Sequence, residues 1–444
     1  MRRFLYITVI FLPFLLLSCE LDSGSSYVPS SVAQLKAFAF AKNDTMPGLS
    51  SAVFTVEERI DTGLVYNKDS MLYGTDLRHV APKFSFVATP SAAYLTLPDT
   101  TVVLTGYDTL DFTQKPIFLT IRSADKKNTK TYEIRPTVHQ VDPDLFTWTC
   151  LNEGIYPHDD SEQRVVTLHD NFVLIQSNGY EMFVYQSSDG SEWTQAVLPE
   201  GLPFGTKVRQ IISDGNTLYY GQDNTIYSST DAVHWTAHNT AYPVVTMLLY
   251  WNELVWALVE KDGYELATWQ NNALQLSGLR PDGEFPVSDF ATVTFLSPSL
   301  RERAMIIGGF AENGKSLNTR WNLEYSRHTT ENNGYRLQEF SIDRPHFTSL
   351  TGISVVQYKH QLFLFGGVDD KMQYFGRDIL VSVDEGLNWT PADTTKNRLP
   401  DVYSARQKQS AIVRDNYIYL FGGQDNKTTF SDVYRGRLNS IEWE

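Results

Sequence analysis

Ser382-Val383-Asp384-Glu385-Gly386-Leu387-Asn388-Trp389-Thr390 has two earlier counterparts, Ser187-Ser188-Asp189-Gly190-Ser191-Glu192-Trp193-Thr194 and Ser229-Thr230-Asp231-Ala232-Val233-His234-Trp235-Thr236. Each describes a tight β-hairpin. The carboxylate can accept backbone N–H groups of the turn, glycine supplies a positive φ, and the Trp can pack between neighbouring sheets. The first copy is one residue short and the second lacks the glycine. Trp193 and Trp235 stand 42 residues apart, a span that suits one four-stranded blade of a propeller.

A second element interleaves with the first. Leu362-Phe363-Leu364-Phe365-Gly366-Gly367 returns as Ile418-Tyr419-Leu420-Phe421-Gly422-Gly423, and more weakly as Met305-Ile306-Ile307-Gly308-Gly309. The glycine pairs lie 58 and 56 residues apart, and glycine lets a strand end close to a crowded axis. Six units follow, at about 163–199, 207–238, 244–278, 289–341, 350–393 and 409–443; a seventh could hide within 289–341. The third unit keeps neither motif. Leu145-Phe146-Thr147-Trp148-Thr149 reads as an extra outer strand, able to close the ring beside Ile441-Glu442-Trp443.

The region before the repeats differs. Residues 28–141 contain no Trp and show about seven short strand signals separated by turn residues, among them Leu35-Phe40, Phe84-Ala88, Ile117-Ser123 and Thr131-Ile134. That spacing predicts an immunoglobulin-like β-sandwich. Val141-Asp142-Pro143-Asp144 interrupts any strand and reads as a hinge. The expected fold is therefore all-β, a sandwich over 28–141 followed by a six-bladed propeller over 145–444.

Arg2-Arg3, the apolar run Phe4–Leu17 and Leu16-Leu17-Ser18-Cys19 together read as a signal peptide over 1–18 ending in a lipobox. Lipid on the Cys19 thiol would be the membrane anchor, with 19–27 as a polar tether. Removing residues 1–18 leaves 35 basic and 52 acidic side chains, a net charge of −17. Such a charge excludes nucleic acid as the main partner. Cys150 is the remaining thiol and reads as a small buried hydrophobe.

The Ser-x-Asp…Trp turns resemble the Asp-box, and the Gly-Gly strands resemble kelch blades. Val102 through Asp111-Phe112 to Lys130-Thr131-Tyr132-Glu133-Ile134 resembles the closing half of sandwich domains in Bacteroidetes surface lipoproteins. The whole combination resembles the DUF6242 lipoproteins, a family that brings no established activity. The Asp-box likeness implies structural, peripheral roles for Asp189, Trp193, Asp231, Trp235, Asp384 and Trp389.

No catalytic or metal constellation emerges from the sequence. A sialidase-like hydrolase would need an arginine cluster, a Tyr–Glu pair and an acid Asp; the chain lacks Arg-Ile-Pro, and Arg209, Arg303, Arg320 and Arg406 cannot be assembled from sequence. A copper oxidase or zinc site has no matching His or Cys spacing. The expectation is a cofactor-free, non-enzymatic binding module on an outer-membrane lipoprotein, at the cell surface or the periplasmic face, with a glycan or protein as ligand. The alternative is a divergent carbohydrate-active hydrolase of sialidase type. Tyr403 and Arg406, ahead of the last inner strand, and Arg320-Trp321, in the fourth unit, are the candidate ligand residues.

Overall fold

The computed structural model describes residues 28–104, 109–154, 161–194, 196–297, 299, 301–341 and 349–439. Its regular secondary structure is nearly all β-strand, and the chain divides into two compact units, Met1–Val141 and Asp142–Glu444.

In the first unit six strands form one sheet, in the spatial order Phe54–Glu57, Thr62–Asn67, Thr129–Arg135, Phe118–Arg122, Ala92–Leu97, Thr100–Val103. Leu35–Phe40 and Pro82–Phe86 pair as a second, two-stranded sheet. Alternating side chains from both layers meet in a single core that includes Phe38, Phe40, Leu95, Leu119, Ile121 and Ile134. The sandwich is thus unequal, six strands against two. Thr62–Asn67 is not among the sequence's strand signals, and the glycine inside it weakens any such signal. Here Gly63 lies beside Tyr132 in a parallel pairing, and a Cβ at Gly63 would stand 2.3 Å from the Tyr132 ring.

The second unit is a ring of six blades. The first is Glu162–Leu168, Asn171–Ser177 and Met182–Ser187, with Val197 bridging to Val184. The second and third are fused into one six-stranded sheet through the long strand Thr236–Trp251. The fourth runs Ala291–Leu296, Glu302–Ile307, Thr319–Tyr325, Tyr335–Ser341, and the fifth Ser354–Tyr358, Gln361–Phe365, Leu380–Ser382, Thr390–Pro391. The sixth takes three strands from the C-terminal side, Ser410–Arg414, Tyr417–Gln424 and Thr429–Leu438, and its fourth, Phe146–Asn152, from the start of the unit.

That last pairing closes the ring, as the sequence suggested, but through Thr429–Leu438 (Leu438 opposite Phe146); Ile441–Trp443 lie outside the described residues. Six apolar clusters occupy the six gaps between neighbouring blades, including the gap from sixth to first, where Phe172 and Leu174 meet Tyr419 and Phe421. Six gaps filled in a closed ring settle the count at six. Cys150 departs from expectation: it faces outward from the closing strand and is exposed.

Each Gly-Gly pair lies at or just past the end of a second strand with both residues at positive φ, 50° and 102° at Gly422-Gly423, where the pair sits at a register shift one residue before the strand ends. A Cβ on Gly422 would stand 2.2 Å from the Gln163 side chain, and one on Gly366 2.3 Å from Gln409. The glycines let the next blade's first strand pass. Gln163 then donates to the carbonyl of Gly423 (3.1 Å), and Gln409 to that of Phe365 (2.6 Å).

Candidate functional site

Tyr403 and Arg406, expected at an open mouth, are both buried. Arg406 donates Nε to the Ser404 carbonyl (3.0 Å) and Nη1 to the Gly422 carbonyl (3.0 Å), and clasps Asp432 with both terminal nitrogens. Its guanidinium is stacked between the rings of Tyr403 and Phe430, 4.1 and 3.8 Å from their centroids. These bonds consume the donors that a ligand would use, so Arg406 ties the sixth blade together and is not a ligand residue. Arg320 is equally buried. It crosses to the fifth blade to donate to the Glu385 carbonyl and lies over Phe340. Trp321 packs against Phe285 in the core between the third and fourth blades. None of the four residues is open to a ligand.

The Ser-x-Asp…Trp turns behave as hairpin locks. Asp189 Oδ1 accepts from the backbone N–H groups of Ser191 (2.8 Å) and Glu192 (3.2 Å), and Asp231 Oδ1 from those of Val233 and His234. Asp384 does the same for Asn388. Ala232 occupies the glycine position at φ 66°. Each indole fills the gap toward the preceding blade: Trp193 against Phe421, Trp235 among Val173 and Val184, Trp389 among Met305 and Ile307. Antiparallel pairing puts these turns at the end of the blade opposite the start of the inner strand, since Ser187 lies across from Phe172 and Phe172 from Thr167.

At the other end, where the inner strands begin, a cavity of about 280 Å³ opens on the axis and is lined from all six blades. Its walls are partly apolar, with Ile212, Met247, Phe290 and Ile353, and partly charged, with Glu162, Arg164, Lys207, Arg209 and Asp289. Arg164, on the inner strand of the first blade, also lines the continuation of the channel below. Lys408 joins the charged group. Its Nζ lies 3.4 Å from Asp289 and 3.7 Å from Glu162.

Backbone links hold this rim across blades. Gly352 N–H donates to the Asp289 carbonyl (2.9 Å), Lys408 N–H to the Gly352 carbonyl (2.6 Å), and Arg209 Nη1 to the Lys408 carbonyl (2.6 Å). Asp289, Gly352 and Lys408 each precede an inner strand and each has positive φ, at 50°, 64° and 59°. Two of these left-handed positions are not glycine, so backbone strain is stored at the cavity rim.

Asp289 sits 3.5 Å from Arg209 Nε. Arg164 has no carboxylate partner among the described residues, and its Nε is buried without a hydrogen bond. Burial, and then the charge of Arg209, pulls Arg164 down to about 10; both cations persist at neutral pH.

The sequence reading expected a ligand site at the channel mouth near Tyr403 and Arg406, and both side chains are buried within the sixth blade. Of the cavity's charged groups it had singled out only Arg209. The missed signal is positional: Glu162-Gln163-Arg164, Lys207-Val208-Arg209, Asp289 and Lys408 all fall at or just before an inner strand. Among the described residues no three His, Cys, Asp or Glu gather as metal ligands would.

The propeller unit, residues 142–444, matches the model of the DUF6242 beta propeller domain, and residues 30–135 match the DUF6242 N-terminal domain, a domain of unknown function. The chain belongs to the DUF6242 family. Its sandwich and propeller are the two domains of that family, in the same order. No curated protein matches this DUF6242 chain. Among solved structures it is similar to one described as "Structure of YjhT", at 11% identity and a TM-score of 0.45, over 64% of this chain and 96% of the other. The family description assigns the DUF6242 propeller no activity.

Proposed function

We propose that this DUF6242 protein is a non-enzymatic recognition module, carried on a membrane by lipid at Cys19, with the propeller's axial cavity as its ligand site and a glycan or protein as its ligand. Cys19 lies outside the described residues, and among those no helix is long and apolar enough to cross a membrane. The observation that carries the recognition reading is the axial cavity. It mixes apolar walls with convergent charged groups, as ligand sites do, and it is held by hydrogen bonds reaching across several blades. Rigid support of this kind preorganises a site at low entropic cost.

Two measurements test the proposal. Glycan and peptide arrays probed with the full chain in detergent should yield ligands whose binding is lost in Ala411→Trp, which fills the cavity. Binding that survives this change moves the site elsewhere, and turnover of a bound glycan restores the hydrolase reading. For the anchor, Cys19→Ala should abolish palmitate labelling and leave the precursor uncut.

A further inference from the structure

The axial cavity is cationic inside an acidic protein. Arg164, Arg209, Lys207 and Lys408 stand against Glu162 and Asp289, whereas the whole chain carries a net −15. Local charge of the opposite sign, in a concave site with low-dielectric walls, concentrates anions.

The pairing within the cluster is uneven. Lys408 lies within ion-pair reach of both acids, and Arg209 leans on Asp289 and a backbone carbonyl. Arg164 is left over. No carboxylate reaches it among the described residues, and its Nε is buried without a partner. Arg164 is half-buried, and an Nε taken out of water with no acceptor is costly unless something completes it. It could be a structural arginine, as Arg406 is, but Arg406 meets two carbonyls and a carboxylate. Arg164 shows no such set.

We infer that the axial cavity binds a small organic carboxylate, whose oxygens pair with Arg164 beside Arg209 and whose body lies against Ile212, Met247 and Phe290. This rests on the recognition reading above and gives its ligand a chemistry. A planar guanidinium fork matches a carboxylate in two parallel hydrogen bonds. The acids Glu162 and Asp289 offset two of the four cations, which leaves two positive charges for an anion to meet, and the apolar walls favour an organic acid over a bare inorganic anion. At about 280 Å³ the cavity lies at the small end of ligand sites. It has room for a group the size of one sugar acid. A free acid and the terminal acid of a longer glycan share that chemistry.

The test uses the full chain in detergent and titration calorimetry, with D-galacturonate, its methyl ester, D-galactose, inorganic sulfate and an oligogalacturonate as probes. Galacturonate is expected to bind at least tenfold more tightly than the ester or galactose, and more tightly than sulfate. Arg164→Gln should remove at least tenfold of that affinity. Arg164→Lys, which keeps the charge without the fork, should fall between. A comparison of oligogalacturonate with the monomer distinguishes the chain end from the free acid. Equal binding of acid and neutral sugar, a preference for sulfate, or full affinity in both Arg164 variants overturns the inference. If neutral sugars or peptides bind and Ala411→Trp blocks them, the cavity remains a recognition site and only the carboxylate assignment fails. If no galacturonate binds but an array ligand does so regardless of Ala411→Trp, both readings fail.

Discussion

A guanidinium locked between Tyr403 and Phe430 and clasped by Asp432 cannot also meet solvent. Arg406 therefore belongs to stability, and removing it strands a partly buried carboxylate. Arg406→Ala should cost about 3–5 kcal/mol by denaturant titration, and an Arg406→Ala/Asp432→Ala double variant should cost less than the two single changes summed. The indoles divide by burial. Trp389 is 1% exposed and Trp193 is half-buried. Trp389→Ala should cost about 3–5 kcal/mol and Trp193→Ala visibly less, in the same titration. A Trp389→Ala protein of normal stability would mean that the gap between the fourth and fifth blades is held by other contacts. Arg209 and Arg320 also bury an unpaired Nε but each donates elsewhere, whereas Arg164 has neither a carboxylate nor a carbonyl acceptor among the described residues, which is why it carries the ligand argument and Arg406 does not.

Turns and strands carry the next level. At the 187–194 turn, hydrogen bonds from Ser191, above all its hydroxyl, pull Asp189 down to about 2. Its folded pKa lies below the unfolded value near 3.9, so the carboxylate contributes stability that is fully present above about pH 4. That contribution is lost as pH falls through the folded pKa. Thermal melts should show wild type losing more stability than Asp189→Asn between about pH 4 and pH 2. Parallel curves would remove the turn from the acid response. At the ring closure, Phe146–Asn152 gives the sixth blade its outer strand and places Phe146 in the core with Tyr358 and Phe363. A chain beginning after Asn152 would leave the long edge Thr429–Leu438 unpaired. It is expected to aggregate or melt well below the propeller with the strand intact, as read by light scattering.

For the whole molecule, the division at Val141/Asp142 predicts two proteolytic products. Limited digestion should cut near Val141–Asp144 and release a resistant fragment of roughly 300 residues, identified by mass. Resistance at that point, with initial cuts inside the blades, would mean the two units do not behave as separate folding bodies.

The sequence alone was sufficient for what local chemistry dictates. Repeated Ser-x-Asp…Trp turns and Gly-Gly strands state a hairpin and a crowded strand end by themselves, so six blades and the break near 141 were readable. Thr62–Asn67 was not, because its Gly63 makes sense only against the Tyr132 ring. Cys150 was misread for a related reason: neighbours Trp148 and Leu151 do not say which face of an edge strand turns outward. Burial and partnership of charges were beyond local reading. Arg406 and Arg164 are both arginines at the start of a blade, and the tertiary structure alone distinguishes them. One finds two carbonyls and a carboxylate within its own blade. The other points to an axis that exists only when six blades close, where Arg209, Asp289 and Lys408 arrive from chain positions far apart.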